Sequence, residues 1–400
     1  MKTLLCLLTL FAFTAQAETK LNYSGDAYVR AYFKNTTGST GNQAFNQFFR
    51  FNVIAKPDDN LSVKAGVILS SNTWEGDNHR AVYANAVQNG GTAMGGTNDD
   101  GFSNDNVTRL DHAVIEYKTN GWITSVGRHA VSTPGNFLTS DDRRDRVQVI
   151  KVLENYDAVA FAYDKRAEGS LTDRKDDQDM YSLNYYGAFS TFKYALQSGY
   201  WVTKEWNPAT STFNTVNLDN VKQISPQIEG KLGTIDMNFY YTLLFGGEAN
   251  YKDDHHAAAL KLAYDLEIFK IEVQSLIVKN GGLVASGFDT LSSIVNNSPD
   301  HNQSSIKLKT VGFGFGDLNA DESLHMARLS KIFNEHFTAS VGGGFGDFYN
   351  GVGNELQKNQ LVDATARYTF SPNLHLQAAY GHFFGDWKDH AGSLTLKANF

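Results

Sequence analysis

Residues 21–34 alternate with a period of two. Leu21, Tyr23, Gly25, Ala27, Val29, Ala31 and Phe33 fall on one set of positions, and Asn22, Ser24, Asp26, Tyr28, Arg30, Tyr32 and Lys34 on the other. Successive side chains of a strand point to opposite faces, so this pattern predicts a strand with one apolar and one polar face. The rhythm returns at Phe49, Phe51, Val53 and Ala55, along 235–245, and at Val362, Ala364, Ala366, Tyr368 and Phe370. Short connections between such segments carry turn residues, as in Pro57-Asp58-Asp59-Asn60, Thr119-Asn120-Gly121 and Ser371-Pro372-Asn373. Long connections, at 72–108, 129–145, 203–220, 279–322 and 348–360, are rich in Gly, Asn, Asp and Ser. Eighteen strands are predicted, the sixth from 145, the fifteenth ending at 347 and the sixteenth starting at 361. Pro226 inside the tenth strand and the ambiguous stretch 305–316, assigned here to the seventh long loop, leave sixteen as the alternative count.

Short turns on one rim, long loops on the other and an even strand count predict an all-β fold, a transmembrane antiparallel up-and-down β-barrel with both ends on the short-turn side. Aromatic residues flank the short turns: Tyr117 with Trp122, Tyr264 with Phe269, Phe333 with Phe337, Tyr368 with Phe370. Such rings favour the boundary between membrane and water, so they predict an interfacial girdle.

Composition fits this reading. Aromatics make up 13% of the chain, with 35 Gly and only 6 Pro, while the mean hydropathy is −0.36. Alternation cancels apolar against polar residues in any hydropathy window, as transmembrane strands do. The N-terminus reads as an export signal, with Lys2, an apolar run from Leu4 to Phe13, and Ala15-Gln16-Ala17 before the cut. Residues 1–17 are then a signal peptide, and 18–400 one barrel domain in the outer membrane of a Gram-negative bacterium, in contact with lipid and lipopolysaccharide. Cys6 is the only cysteine and lies in the signal, so the mature chain has no disulfide or thiol chemistry. Losing Lys2 leaves 34 basic against 43 acidic residues, which argues against nucleic acid as partner.

A barrel of this size leaves an aqueous channel unless something plugs it. The expected function is therefore a passive pore for small hydrophilic solutes and ions. Its selectivity would rest on lumen-facing charges and on any loop folded inward. The candidate inward loop is the third long one, 129–145. It runs from Gly127-Arg128-His129 through Ser132-Thr133-Pro134 and Asn136-Phe137-Leu138 to Asp141-Asp142-Arg143-Arg144-Asp145-Arg146. Opposed Asp and Arg groups across a narrow passage would set a transverse field, so Asp141, Asp142, Arg143, Arg144, Asp145 and Arg146 are the candidate constriction residues. The alternative is a solvated salt-bridge cluster at a loop foot. A charge facing lipid at mid-bilayer costs about 2–4 kcal/mol, so Arg30, Arg50 and Arg367, opposite clear apolar faces, are read as lumen-facing.

The glycine-arginine strand end, the Thr-Pro step and the Asp-Asp-Arg-Arg run resemble the segment before the constriction of OprD-type porins. The resemblance implies an eighteen-stranded pore for small, often carboxylate-bearing solutes, with a ladder of basic residues. Arg30, Arg50, Arg128, Lys193, Arg367 and Lys397 match that ladder in part. The final strand, with Leu394, Leu396, Ala398 and Phe400 alternating with polar residues, resembles the signal read by the barrel-assembly machinery, though Ala398 stands where that pattern often has Tyr. Many porins are trimers, and a homotrimer is retained as an option.

Other chemistry is weaker. Asn98-Asp99-Asp100-Gly101 and Asn104-Asp105-Asn106 carry hard oxygen donors but read as an exposed loop, and Asp253-Asp254-His255-His256 reads as a solvated loop tip. No metal, cofactor or enzymatic activity is expected. An adhesion or receptor barrel using 72–108 and 279–322, or a polysaccharide exporter, are the competing functions.

Overall fold

The computed structural model describes residues 19–37, 41–73, 108–167, 177–202, 218–248, 251–296, 306–312, 321–350 and 355–400. The expected signal peptide and the Asn98–Asn106 cluster lie outside these residues. The strands are β1 (Lys20–Asn35), β2 (Asn42–Lys56), β3 (Leu61–Thr73), β4 (Arg109–Thr119), β5 (Trp122–Val131), β6 (Asp142–Val152), β7 (Ala158–Ala167), β8 (Gln178–Phe189) and β9 (Phe192–Val202). They continue with β10 (Lys222–Leu232), β11 (Ile235–Phe245), β12 (His255–Leu266), β13 (Phe269–Lys279), β14 (Glu322–Ile332), β15 (Phe337–Asn350), β16 (Glu355–Ser371), β17 (Leu374–Gly385) and β18 (His390–Asn399). Each pairs antiparallel with its neighbours in sequence, and β1 pairs with β18, so eighteen strands close into a barrel. Closure removes the sheet edges, which is what lets strands cross a bilayer with every backbone group paired.

The fold is apolar on the outside. Val29, Ile115, Val126, Val147, Leu183, Leu260, Ile277, Val341 and Leu394 are exposed on outward faces. In water this surface would be a large liability, and in lipid it is the natural solvent. At the short-turn rim Trp122, Phe189, Phe333, Phe370 and Phe400 are exposed as the expected girdle. Lys151 Nζ sits 4.9 Å from the Trp122 ring and Lys331 Nζ 4.9 Å from that of Phe333, amines turned towards the interface. One short turn is stapled from within. The Asp157 carboxylate accepts from the Tyr185 and Tyr194 hydroxyls and from Asn155 Nδ2, and the Tyr185 hydroxyl is the main cause that holds its pKa below the usual carboxylate range.

The seam depends on one glycine. Phe400 N–H donates to the Gly25 carbonyl at 3.0 Å and Gly25 N–H to the Phe400 carbonyl at 2.8 Å. A Cβ on Gly25 would stand 2.3 Å from the Phe400 ring and 2.5 Å from the Arg50 carbonyl. Overpacking of this kind costs about 1–3 kcal/mol. Gly25→Val should therefore lower the temperature at which the folded band converts to the unfolded one in heated gel samples, and an unchanged conversion temperature would count against a tight seam.

Three boundaries depart from the sequence reading. The expected loop at 348–360 is mostly strand, since β15 runs to Asn350 and β16 starts at Glu355. Asp142 to Asp145, expected in the third long loop, belong to β6. His255 and His256 open β12 rather than sitting at a loop tip. Pro226 is accommodated as a local gap. Its strand keeps register with β9 through Pro226↔Leu196, while on the β11 side the pairing steps from Ile224↔Leu243 to Gln227↔Tyr240. A Ser225–Thr242 hydroxyl contact of 2.8 Å bridges that gap on the lumen side.

Candidate functional site

The β5–β6 hairpin outreaches its neighbour. β4 pairs with β5 only as far as Ala113↔Arg128, whereas β5 and β6 stay paired to Val131↔Asp142. The segment beyond, 132–141, enters the lumen. Thr133 ties its base, accepting from the Leu138 and Thr139 N–H groups at 3.1 and 3.0 Å and donating its own N–H to the Thr139 carbonyl at 2.9 Å. Gly135, at φ 62°, carries the tight turn where any Cβ would meet the Tyr240 ring at 2.3 Å. At the tip, Phe137 stacks on Tyr240 of β11 at 5.4 Å and meets Phe288 edge-on at 4.9 Å. Its carbonyl accepts from Ala285 N–H at 2.7 Å, and the residue is 0% exposed.

Phe288 belongs to a second infolded segment, where the sequence predicts an ordinary loop. Between β13 and β14, residues 282–296 and 306–312 lie against the inner wall. Val284, Leu291, Ile294 and Val311 pack with Leu276, Leu324, Met326, Phe348 and Leu361 in the largest apolar cluster among the described residues. Polar contacts pin the segment: Ser293 N–H donates to Asp363 at 2.7 Å, Lys261 Nζ reaches Asp289 at 3.2 Å, and Lys309 Nζ reaches Glu322 at 2.7 Å. The available signal was the excess of Val, Leu, Ile and Phe for a solvated loop. It has no period, because an irregular chain buries side chains in no fixed rhythm.

The candidate constriction residues separate into two faces. Asp142, Arg144 and Arg146 point to the lumen. Arg144 binds Asp142 at 2.8 Å and Asp164 at 3.0 Å, Arg146 binds Asp164 at 2.8 Å, and Arg166 binds Asp142 at 2.9 Å. Arg143 stands on the opposite face of the infolded hairpin and so meets the β2–β4 wall. It grips Asp111 in bidentate fashion at 2.7 and 2.9 Å, and Asp141 at 2.7 Å. Arg50 joins there, with Asp26 at 2.9 Å and Asp111 at 3.2 Å. Arg50 and Arg143 thus meet Asp26, Asp111 and Asp141 on the wall-facing side, and Arg144, Arg146 and Arg166 meet Asp142 and Asp164 on the lumen-facing side, two clusters of opposite excess charge that sum to zero. The pairing register puts Arg128 and Asp145 on the outward face with Val126 and Val147, where they form a looser pair at 3.6 Å.

The other basic residues lie elsewhere. Arg367, Gln377, Thr395 and Arg30 occupy one rung across β16, β17, β18 and β1, and Lys397 the rung nearer the short-turn rim, beside His375. Arg30 Nε donates to Thr395 Oγ1 at 3.0 Å, and Arg367 Nη2 lies 3.2 Å from His375 Nδ1. Lys193 lies far from this patch, on β9 opposite Glu229.

Open space remains on one side of the lumen. A cavity of about 580 Å³ lies between segment 132–141 and β6–β10, lined by Thr133, Asp142, Arg144, Asn184, Gln197 and Trp201 among others. A second, of about 320 Å³, lies towards the short turns and is lined by Pro134, Lys193, Gln227 and Glu229. Tyr186 borders both. Among the described residues no group of three or more His, Cys, Asp or Glu side chains is placed to hold a metal. His255 turns to the Asn280 carbonyl while the adjacent His256 turns to the Tyr241 hydroxyl.

A closed, even-stranded barrel, apolar outside and polar within, is a transmembrane β-barrel of the outer-membrane type. Solved structures carry the same fold. OpdK of Pseudomonas aeruginosa, crystallised with vanillate, aligns with a TM-score of 0.59 at 13% identity over 95% of this chain and 98% of its own. Pseudomonas aeruginosa OpdO gives 0.62 at 10% identity over 95% and 97%, and Acinetobacter baumannii OccAB3 gives 0.60 at 12% over 95% and 99%. At these identities the likeness is one of fold. No family model and no curated protein matches the sequence.

Proposed function

We propose that this barrel is a passive outer-membrane channel for small hydrophilic solutes and ions, with segment 132–141 as its constriction. The observation that carries the reading is the docking of Phe137 on Tyr240 and Phe288, which holds the segment across the lumen. Solutes pass on the β6–β10 side, where two cavities both border Tyr186. Asp141, Asp142, Arg143, Arg144 and Arg146, with Arg50 beside Arg143, set the field at the narrow point, and Arg30, Lys193, Arg367 and Lys397 line the wall above and below it. The two clusters carry opposite excess charges that sum to zero, so the passage screens by shape and dipole more than by net charge. The presence of vanillate in an OpdK structure supports small organic molecules as occupants of this fold.

The test is planar-bilayer recording of the purified protein. Discrete conductance steps are expected, and a silent barrel would overturn the channel reading. Replacing Arg143 and Arg144 with Ala leaves Asp111, Asp141 and Asp142 under-neutralised and should move the reversal potential in a KCl gradient towards cation preference. Unchanged conductance and reversal potential would remove both residues from the constriction.

A further inference from the structure

The β8–β10 wall facing the open side of the lumen is built from uncharged hydrogen-bonding groups. Gln227 Nε2 donates to Gln197 Oε1 at 3.2 Å, and Gln197 Nε2 to the Tyr186 hydroxyl at 3.2 Å. Above them Gln223 Nε2 donates to Ser225 Oγ at 3.0 Å. Gln227 is 1% exposed, and its Oε1 is a buried acceptor that no donor meets. Asn184, Tyr186, Gln197 and Gln223 carry the row to the wall of the cavity of about 580 Å³, and Gln227 lies buried behind them. Each carboxamide offers a donor and an acceptor together, the same pair that a hydroxyl presents. Trp201 and Leu138 supply apolar surface in the same cavity.

We infer that the channel is selective for uncharged, hydroxyl-rich solutes of sugar size. This rests on the channel reading above. The guanidiniums bordering the path are already gripped by aspartates, so an incoming carboxylate would have to displace a partner that is charged, positioned and partly buried. The aspartates are matched in turn, so an ammonium solute gains no better. A neutral polyol asks for neither displacement and finds the carboxamides of Asn184, Gln197 and Gln223 along the cavity wall. The cavity of about 580 Å³ is large enough for one such ring with its water.

Glucose, glucuronate and glucosamine share a skeleton and differ in charge, so their fluxes into proteoliposomes separate the cases. Glucose should enter several-fold faster than either charged analogue, at a rate that saturates with concentration. Separate Gln197→Leu and Gln227→Leu variants should each lower the ratio of glucose flux to KCl conductance several-fold, with folding checked by heat-modified gel mobility. Should one variant not fold, the other and the wild-type flux order still decide. Faster entry of glucuronate or glucosamine, or equal entry of all three, with KCl conductance intact, would overturn the solute class and leave the channel standing. Absence of KCl conductance would overturn both readings.

Discussion

Phe137→Ala should raise single-channel conductance several-fold and blunt discrimination between solutes, while the barrel stays folded. Phe137 is the one side chain of segment 132–141 whose ring lies between both Tyr240 and Phe288. Removing a fully buried Phe side chain costs about 3–5 kcal/mol. Here that cost falls on the docking of the segment and not on the strand ladder, because the ring's partners, Tyr240 and Phe288, lie outside the β5–β6 hairpin. A loss of about 3 kcal/mol shifts the balance between docked and undocked segment by a factor of about 100 (1.4 kcal/mol per tenfold). The Ala285 N–H bond to the Phe137 carbonyl then loses the packing that positions it. The paired measurement is conductance with heat-modified mobility in gels. Larger conductance at unchanged mobility is the expected result. Unchanged conductance would mean that segment 132–141 does not limit flow.

What the sequence made legible follows from where each strand sits. Strands with one face in lipid and one in the lumen carry the period of two, and β1, β11 and the lower part of β16 were readable for that reason. The start of β6 was not, because Asp142, Arg143, Arg144, Asp145 and Arg146 have no apolar face. Once the hairpin leaves the wall, Arg143 faces the β2–β4 wall and Arg144 the open lumen, so charge is favoured on both sides. The run 355–360 hid for a related reason. Glu355, Gln357, Lys358, Asn359 and Gln360 are polar on both parities, so composition imitated a loop. The two charged clusters were half visible. Their Asp141–Arg146 members are contiguous, but Asp26, Arg50, Asp111, Asp164 and Arg166 come from other strands, and only closure and register bring them together. Arg128 shows the opposite error. It adjoins the right motif but stands on the wrong parity.

The second large effect concerns Asp164, the shared counter-ion of Arg144 and Arg146. It is 0% exposed and accepts from Arg144 Nη1 at 3.0 Å and Arg146 Nη2 at 2.8 Å. Asp164→Asn keeps the size and one acceptor oxygen but removes the charge that two guanidiniums share. Breaking a buried pair by neutralising one partner costs about 3–5 kcal/mol when no water relieves it. The cavity beside Arg144 and Arg146 admits water, which places the expected loss at the lower end, near about 3 kcal/mol. The same change takes the lumen-facing cluster of Arg144, Arg146 and Arg166 with Asp142 and Asp164 from one excess positive charge to two. Reversal potential in a KCl gradient should therefore move towards chloride, the opposite direction to the change expected on replacing Arg143 and Arg144 with Ala. Asp145→Asn is the control, since Asp145 stands on the outward face and its pair with Arg128 is loose and exposed. Exposed substitutions of that kind stay within about 0.5 kcal/mol, and this one adds no charge to the lumen. Asp145→Asn matching Asp164→Asn in either measurement would place the selectivity field outside the β6–β7 wall.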